Sequence, residues 1–325
     1  MSKSVNFSNR KMIYVETRYA NTLYEFKEYL VKNPQANWKL VGNPLDCQIA
    51  LFFDIVESEY VDIVDNLGVL KILVRQEPEL VVPKNYDAAL VAKFDHIIEI
   101  GKSREDLIKN INWPQDFSNH LNADNFKKDK FVIINSNLLS LRAGENYSLR
   151  RKVIGQIPTL DLYGFQWNNS YFDKLLAFVK EFKKYMPRIY ELKLSGLKYY
   201  FKTFDNYLGA VSNKREVISL YKYSVVIENS CDYVSEKLFD AFLSGCFPVY
   251  VGPNLSRYDL PENLYIQAEP NFIDIKKKMV CAQETDLAQW SARLKTWLAE
   301  DGTYKNWSSE LFFAKILNAI NNVYQ

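Results

Sequence analysis

The sequence predicts an α/β protein of two domains, each a doubly wound parallel sheet with helices on both faces. The 325 residues exceed one ordinary hydrophobic core and suggest two domains. Hydrophobic residues make up 48% of the chain and charged residues 25%, which is typical of a soluble globular protein. Short β-rich runs alternate with helical runs in two successive series, and this alternation favours parallel sheets covered on both faces.

The first series ends near residue 101 and is followed by a polar stretch. Run 22–32 carries apolar residues three and four positions apart, which predicts an amphipathic helix. The predicted strands are 11–16, 38–42, 47–53, 71–76 and 96–101. Residues 112–130 are polar, lack periodicity and contain a proline, so we interpret them as the linker between the domains.

The second series completes the predicted architecture. Its predicted strands are 131–136, 159–164, 223–228, 247–252 and 263–268, and its predicted helices lie near 146–157, 171–184 and 234–244. The last 40 or so residues are predicted to be helical, ending in ELFFAKILNAINNVYQ. We therefore expect an N-terminal domain of residues 1–125 and a C-terminal domain of residues 126–325 that includes these helices. Two such domains would place a ligand cleft between them, at the carboxyl ends of the strands.

Composition excludes several functional classes. The 41 basic and 39 acidic residues leave a net charge of +2, so the chain lacks the strongly basic character of a nucleic-acid-binding protein. No G-x-G pattern occurs, which excludes the dinucleotide fingerprint and the Walker A loop. No D-x-D pair occurs, and with only two histidines a histidine-based triad or metal site is not expected.

The chain also has features of an intracellular protein. Its four cysteines are widely spaced and form no C-x-x-C motif, which predicts reduced thiols. The N-terminal residues contain no apolar segment of the kind found in signal peptides, and no run approaches the 18 or more apolar residues of a membrane span. We expect a cytoplasmic protein, associated at most with the cytoplasmic face of a membrane.

The segment 221–255 carries the most informative chemistry. It is predicted to fold as a strand, a polar loop, a helix and a second strand, with Lys237 and Glu236 in the first helical turn. A lysine is unfavourable there because it meets the positive end of the helix dipole, unless an anion lies between them. An ordinary solvated lysine remains the alternative, and Glu236 is either a favourable first-turn acid or a carboxylate that binds sugar hydroxyls.

This segment resembles the signature of glycosyltransferase family 10, the α-1,3/4-fucosyltransferases. The motifs YKYSVVIENS, DYVSEKL, SGCFPVY and VGP follow one another with nearly the family's order and spacing. Weaker resemblance extends over INSN, LRRKVI and DLYG, and over KILVRQEPELVVPKNY and FDHIIEIG nearer the N-terminus. The resemblance implies a GT-B fold, in which two Rossmann-like domains face a central cleft, and a GDP-fucose donor.

The resemblance also implies roles for individual residues. Lys237 would contact the donor diphosphate, Glu236 the donor sugar and Glu77 would be the general base that deprotonates the acceptor. Glu77 follows the apolar strand 71–76, so we expect it at the carboxyl end of that strand, although a loop-surface glutamate is the alternative. The residues expected to complete the donor site are Asn229, Ser230, Tyr233 and Arg150.

The chain departs from the family pattern at two places. The loop between the Glu-Asn-Ser and Asp-Tyr motifs is two residues shorter than in the animal enzymes. Asp205 also lies about where relatives carry a basic contact to the diphosphate, and either Lys202 or a larger contribution from Arg150 would compensate.

Together these features predict an inverting transferase that moves L-fucose from GDP-fucose to a glycan hydroxyl, with O3 of a GlcNAc-type or related sugar as the expected acceptor atom. The acceptor would be an oligosaccharide or glycolipid, including lipopolysaccharide intermediates, bound by the N-terminal domain. No metal and no other cofactor is expected to be essential. The alternatives are a GT-B transferase for another GDP- or dTDP-sugar, and an inactive sugar- or nucleotide-binding relative.

Overall fold

The computed structural model describes residues 10–100, 111–117, 127–185, 194, 197–258, 260–299 and 302–324. The chain divides into two compact units, one formed by Met1–Pro114 with Asn306–Gln325 and the other by Gln115–Lys305. The helices are α1 (Ala20–Lys32), α2 (Glu59–Asp65), α3 (Ala88–Val91), α4 (Tyr147–Gln156), α5 (Tyr171–Tyr185), α6 (Leu197–Tyr200), α7 (Lys214–Ile218), α8 (Glu236–Leu243), α9 (Phe272–Gln283), α10 (Leu287–Ala299) and α11 (Ser309–Val323).

The first unit contains a five-stranded parallel sheet. Its strands are β1 (Lys11–Thr17), β2 (Trp38–Val41), β3 (Ile49–Phe53), β4 (Leu70–Arg75) and β5 (His96–Glu99), in the spatial order β2-β1-β3-β4-β5. All five residues of the central strand β3 are buried, because apolar side chains cover both faces of the sheet. Parallel strands align their carboxyl ends, so the loops after β1, β3 and β4 meet at one edge.

Helix α11 belongs to the first unit, which corrects the predicted domain composition. Phe312, Phe313 and Ile316 of α11 are buried in the cluster that covers one face of the first sheet. Phe313 packs edge-on against Phe26 of α1, with 5.2 Å between the ring centroids. The sequence prediction had placed the whole C-terminus, up to residue 325, in the second domain, and its boundary at residue 125 lies outside the described residues.

The second unit contains another five-stranded parallel sheet. Its strands are β6 (Lys128–Ile134), β7 (Asp161–Tyr163), β8 (Tyr221–Ile227), β9 (Phe247–Val251) and β10 (Ile266–Gln267), in the spatial order β10-β9-β8-β6-β7. The order reverses between β6 and β8, so the carboxyl ends of these two strands form the switch point where doubly wound sheets bind ligands. The predicted strand 263–268 is reduced to two residues, and the short helix α7 was not predicted.

Candidate active site

A cavity of about 180 Å³ opens at the carboxyl edge of the second sheet. Asn135 follows β6 in this wall and Asn229 follows β8. The side chains of the wall that carry charge are Arg150, Lys214, Glu236 and Lys237. The structure therefore brings together four residues that were predicted from the sequence, and it adds Asn135 and Lys214.

The start of helix α8 holds Lys237 at this wall. Ser235 is the N-cap of α8, and its side chain accepts a hydrogen bond from the backbone N–H of Lys237. The ammonium nitrogen of Lys237 donates to Ser235 Oγ at 2.9 Å and lies 3.4 Å from Glu228 Oε2. The Lys237 side chain is 18% exposed, whereas Glu228 is fully buried. Lys237 is thus oriented by a buried carboxylate and is not a freely solvated surface lysine.

Glu228 is the anchor of this arrangement. It follows β8 directly, and its carboxylate accepts hydrogen bonds from Ser235 N at 2.9 Å and from Ser235 Oγ at 2.6 Å. A buried carboxylate is stable only where hydrogen bonds and a cation compensate its charge, and Ser235 and Lys237 supply both. Glu228 was not among the predicted site residues, although its position as a charged residue directly after a buried strand is a signal in the sequence.

Glu236 lies between two cations. Lys214 Nζ donates to Glu236 Oε1 at 3.1 Å, and Lys237 is the next residue along α8. Burial raises the pKa of Glu236, but Lys237 and Lys214 outweigh it and lower the pKa to about 2. Glu236 is therefore ionised throughout the neutral range. Such a weak base suits a hydrogen-bond acceptor for sugar hydroxyls better than a proton acceptor.

Lys214 is a basic residue of the cavity wall that was not predicted from the sequence. Among the described residues, Lys214 lines the cavity, whereas Lys202 and Asp205 are exposed and do not line it. Burial lowers the pKa of Lys214, but Glu236 and Asp240 reverse this effect and raise it, so the side chain stays cationic. Lys214 is the first residue of α7, after the N-cap Asn213. Like Lys237 in α8, it lies in a first helical turn, where the helix dipole disfavours a cation.

Arg150 and Asn229 form a second connected pair at the wall. The guanidinium of Arg150 is buried, and it donates through Nε to the carbonyl oxygen of Ile227 at 2.9 Å and through Nη2 to Asn229 Oδ1 at 2.8 Å. Asn229 Nδ2 in turn donates to the Tyr233 hydroxyl at 3.0 Å. Tyr233 therefore contacts Asn229 but does not itself line the cavity.

Asn135 Oδ1 and Ser230 Oγ are among the buried polar atoms that have no hydrogen-bond partner within the described part of the chain. Asn135 lies in the cavity wall, where a ligand hydroxyl or amide would satisfy its carbonyl oxygen. Ser230 does not line the cavity, so its predicted place in the nucleotide pocket stays a prediction.

Glu77 belongs to the first unit, where it follows β4 by two residues and is half-buried. Its backbone N–H donates to both carboxylate oxygens of Asp54, at 3.1 and 3.2 Å. The Tyr86 hydroxyl lies 3.3 Å from the Glu77 carbonyl oxygen and 3.1 Å from Glu99 Oε1. Glu77 therefore lies at the carboxyl end of β4, as the sequence predicted, and both of its backbone polar groups have partners.

No group of three or more His, Cys, Asp and Glu side chains suited to a metal lies together within the described residues. The prediction of a metal-independent reaction stays a prediction. Among the helices that the structure describes, none has the length and apolar character to cross a bilayer.

Comparisons of the sequence with known proteins give short partial matches. No protein-family model matches the chain. Over 74 residues it is 36% identical to the 4-galactosyl-N-acetylglucosaminide 3-alpha-L-fucosyltransferase 9 of Cricetulus griseus, a match that covers 21% of this chain and 21% of that protein. The chain thus matches about a fifth of the length of this curated relative. A bovine alpha-(1,3)-fucosyltransferase 4 is 40% identical over 57 residues, or 16% of this chain and 14% of the relative.

Solved structures extend the similarity to the whole fold. A crystal structure of an alpha1,3-fucosyltransferase superimposes with a TM-score of 0.56 and 14% identity, covering 99% of this chain and 93% of that one. The crystal structure with GDP gives a TM-score of 0.53 over the same shares of the two chains.

The two parallel sheets and the cation-lined switch point define the class: the chain has the GT-B fold of glycosyltransferases, as predicted. Within that class, the curated relatives and the two crystal structures named above are fucosyltransferases. A UDP-forming trehalose-phosphate synthase of Burkholderia xenovorans shares the fold as well, with a TM-score of 0.54 and 13% identity over 94% of this chain and 79% of that one. The predicted resemblance to glycosyltransferase family 10 is confirmed in sequence over a short segment and in fold over nearly the whole chain.

Proposed function

We propose that this chain is an inverting fucosyltransferase that moves L-fucose from GDP-fucose to a hydroxyl of a glycan acceptor. The observation that carries the proposal is the pair Lys214 and Lys237, which line one cavity at the switch point of the second sheet. With Arg150 the wall carries three cations against one carboxylate, Glu236, and the buried Glu228 pairs with Lys237. That balance favours an anionic ligand such as a diphosphate.

The cavity size is consistent with part of a nucleotide sugar. Sites that enclose a whole ligand of drug size measure roughly 300–1,000 Å³. At about 180 Å³, this cavity matches a diphosphate and its adjoining sugar better than a complete GDP-fucose. In the proposed complex the two lysines bind the diphosphate beside the start of α8, and Glu236 accepts hydrogen bonds from fucose hydroxyls.

The chemistry requires these groups because inverting transfer is one in-line displacement at the anomeric carbon. The bond from that carbon to the diphosphate oxygen breaks while the acceptor oxygen bonds from the opposite face, through an oxocarbenium-like transition state. The departing GDP gains charge, and each charge-assisted hydrogen bond to it contributes about 1.5–3 kcal/mol. Two lysines therefore supply about two to four orders of magnitude in rate where these bonds strengthen in the transition state.

The acceptor hydroxyl must lose its proton during the same step. We propose that the Glu77 carboxylate of the first unit takes that proton. Glu236 is not assigned this role, because its pKa is lowered to about 2 and it is a weak base. The reaction needs no metal in this scheme, because protein cations neutralise the leaving group.

The finer substrate assignments belong to the same proposal: transfer to O3 of a GlcNAc-type or related sugar in an oligosaccharide, glycolipid or lipopolysaccharide intermediate. Mass spectrometry of products formed from GDP-fucose and an array of acceptors tests it directly. A donor screen for nucleotide release separates the alternative, a transferase for another GDP- or dTDP-sugar. Donor binding without transfer to any acceptor would identify an inactive relative.

We further propose that the protein acts at the cytoplasmic face of a membrane, and helix α5 supports the membrane association. It exposes Phe172 and Leu176, the latter by 53%, while Lys174 of the same helix is only 3% exposed. An ordinary surface helix buries its apolar residues and exposes its charged ones, and α5 does the opposite at these positions. Lys180 and Lys183 are exposed on the same helix, and an apolar surface with lysines beside it suits a bilayer containing anionic lipid.

A further inference from the structure

Asp54 is a buried carboxylate at the carboxyl edge of the first sheet, directly after β3. It is 4% exposed, and its backbone has a φ of +55°. This left-handed conformation is unfavourable for most residues other than glycine, although aspartate and asparagine adopt it more readily. A buried carboxylate in such a conformation needs compensating contacts.

Those contacts converge on the turn that carries Glu77. Asp54 Oδ1 accepts hydrogen bonds from the backbone N–H of Gln76 at 2.8 Å and of Glu77 at 3.1 Å. It also accepts one from Asn85 Nδ2 at 2.6 Å, and the Tyr19 hydroxyl donates to Oδ2 at 3.2 Å. All four groups are donors, so the ionised carboxylate is the form that satisfies every contact.

We propose that Asp54 is a positioning residue for Glu77: its carboxylate holds two consecutive backbone amides and thereby fixes the direction in which the Glu77 side chain leaves the sheet. The proposal rests on the proposed role of Glu77 as the base. Two adjacent N–H groups bound to one carboxylate fix the orientation of the turn more tightly than a single bond would. The Tyr86 hydroxyl beside the Glu77 carbonyl restrains the other end of the same residue.

The charge of Asp54 gives this arrangement a dependence on pH. Burial raises the pKa of Asp54 to about 6, although the N–H groups of Glu77 and Gln76 oppose the rise. Arg18 and Tyr19 after β1, and Tyr86, also interact electrostatically with Asp54. Protonation below about pH 6 converts one oxygen from an acceptor into a donor, which weakens the hold on the turn. Transfer is therefore expected to fall on the acid side through this ionisation.

The left-handed backbone provides a substitution that separates function from folding. Glycine adopts a φ of +55° without strain, so Asp54→Gly removes the carboxylate without backbone strain. Asp54→Asn is the second variant, because it preserves the shape and replaces one acceptor oxygen by an NH₂ donor. Asn37→Gly is the matched control, since Asn37 has a φ of +59° in the same unit and is exposed.

The experiment measures kcat, KM for GDP-fucose, the pH profile and hydrogen exchange of the Gln76 and Glu77 amides in the full chain. We expect both Asp54 variants to lower kcat about 10- to 100-fold with KM changed less than about threefold. We also expect the ionisation near pH 6 to disappear from the profile of Asp54→Gly and the two amides to exchange faster. Asn37→Gly should match the wild type in each measurement.

Unchanged exchange of the Gln76 and Glu77 amides in both variants would overturn the proposal, whatever happens to activity. Faster exchange with an unaltered kcat and pH profile would also overturn it. That result would show that Asp54 holds the turn in the wild type but that loosening the turn does not affect transfer. The role of Glu77 is decided separately by Glu77→Gln. Normal transfer by that variant would refute the base assignment, while the exchange data would still report whether Asp54 holds the turn.

Discussion

Replacing Lys237 by methionine tests how much the cavity cations contribute to transfer. Methionine keeps most of the apolar stem and removes the ammonium group, which donates to Ser235 Oγ at 2.9 Å. A charge-assisted hydrogen bond is worth about 1.5–3 kcal/mol, which corresponds to roughly a 10- to 150-fold change in rate. The variant also leaves the buried Glu228 facing the diphosphate without a cation between them. We therefore expect kcat/KM for GDP-fucose to fall about 100-fold, near the upper end of that range.

The same substitution affects stability, and the structure offers a control for this effect. Breaking a buried ion pair costs about 3–5 kcal/mol when the remaining charge has no partner, although Glu228 keeps its two hydrogen bonds from Ser235. The double variant Glu228→Gln/Lys237→Met removes both charges, so we expect it to recover much of the melting temperature and none of the lost turnover.

The assay is GDP release at a temperature well below the melting transition of each variant, with GDP affinity measured by calorimetry. Lys214→Met/Lys237→Met should lose more than either single variant, by about a thousandfold or more, because both ammonium groups are expected to bind one diphosphate. Turnover by Lys237→Met within about threefold of the wild type would refute the reasoning. Recovery of turnover in Glu228→Gln/Lys237→Met would refute it too, since it would make Lys237 purely structural.

Three further predictions follow from the site and from helix α5. Glu77→Gln should abolish transfer and leave GDP-fucose binding intact, and calorimetry that shows lost donor binding would instead make Glu77 a donor ligand. Transfer should persist in excess chelator, because the proposed leaving-group cations are side chains, and a complete loss that added Mg²⁺ or Mn²⁺ reverses would contradict that scheme. The protein should float with vesicles that contain phosphatidylserine and less well with phosphatidylcholine alone. Phe172→Ser/Leu176→Ser should reduce flotation while Ile273→Ser, a change at a residue that is 80% exposed elsewhere, should not.

The sheets were predictable because buried parallel strands have a strong local signal. Strands such as β3 and β8 are nearly continuous apolar runs bounded by polar loops, and that pattern is present in the sequence itself. The start of α8 also has a local signal, since serine is a residue type that favours the N-cap position and Ser235 caps the helix in the structure. Gly245 follows the last turn of this helix with a φ of +60°, which glycine adopts without strain.

The features that were missed depend on contacts between distant parts of the chain. Phe312 and Phe313 identify α11 as an apolar helix, but the sequence around them does not indicate which of the two sheets they cover. Helix α7 has only five residues, too few for a periodic pattern, so the sequence did not place Lys214 beside Glu236. The partners of Asp54 lie 22 to 35 residues away along the chain, so no local pattern around Asp54 indicates them.

A crystal structure of the protein with GDP tests the central claim most directly. The account predicts that the diphosphate lies at the start of α8, with Lys214 Nζ and Lys237 Nζ each about 3 Å from a phosphate oxygen. A diphosphate bound elsewhere on the second unit, with both ammonium groups still paired only to Glu236 and Glu228, would contradict the account.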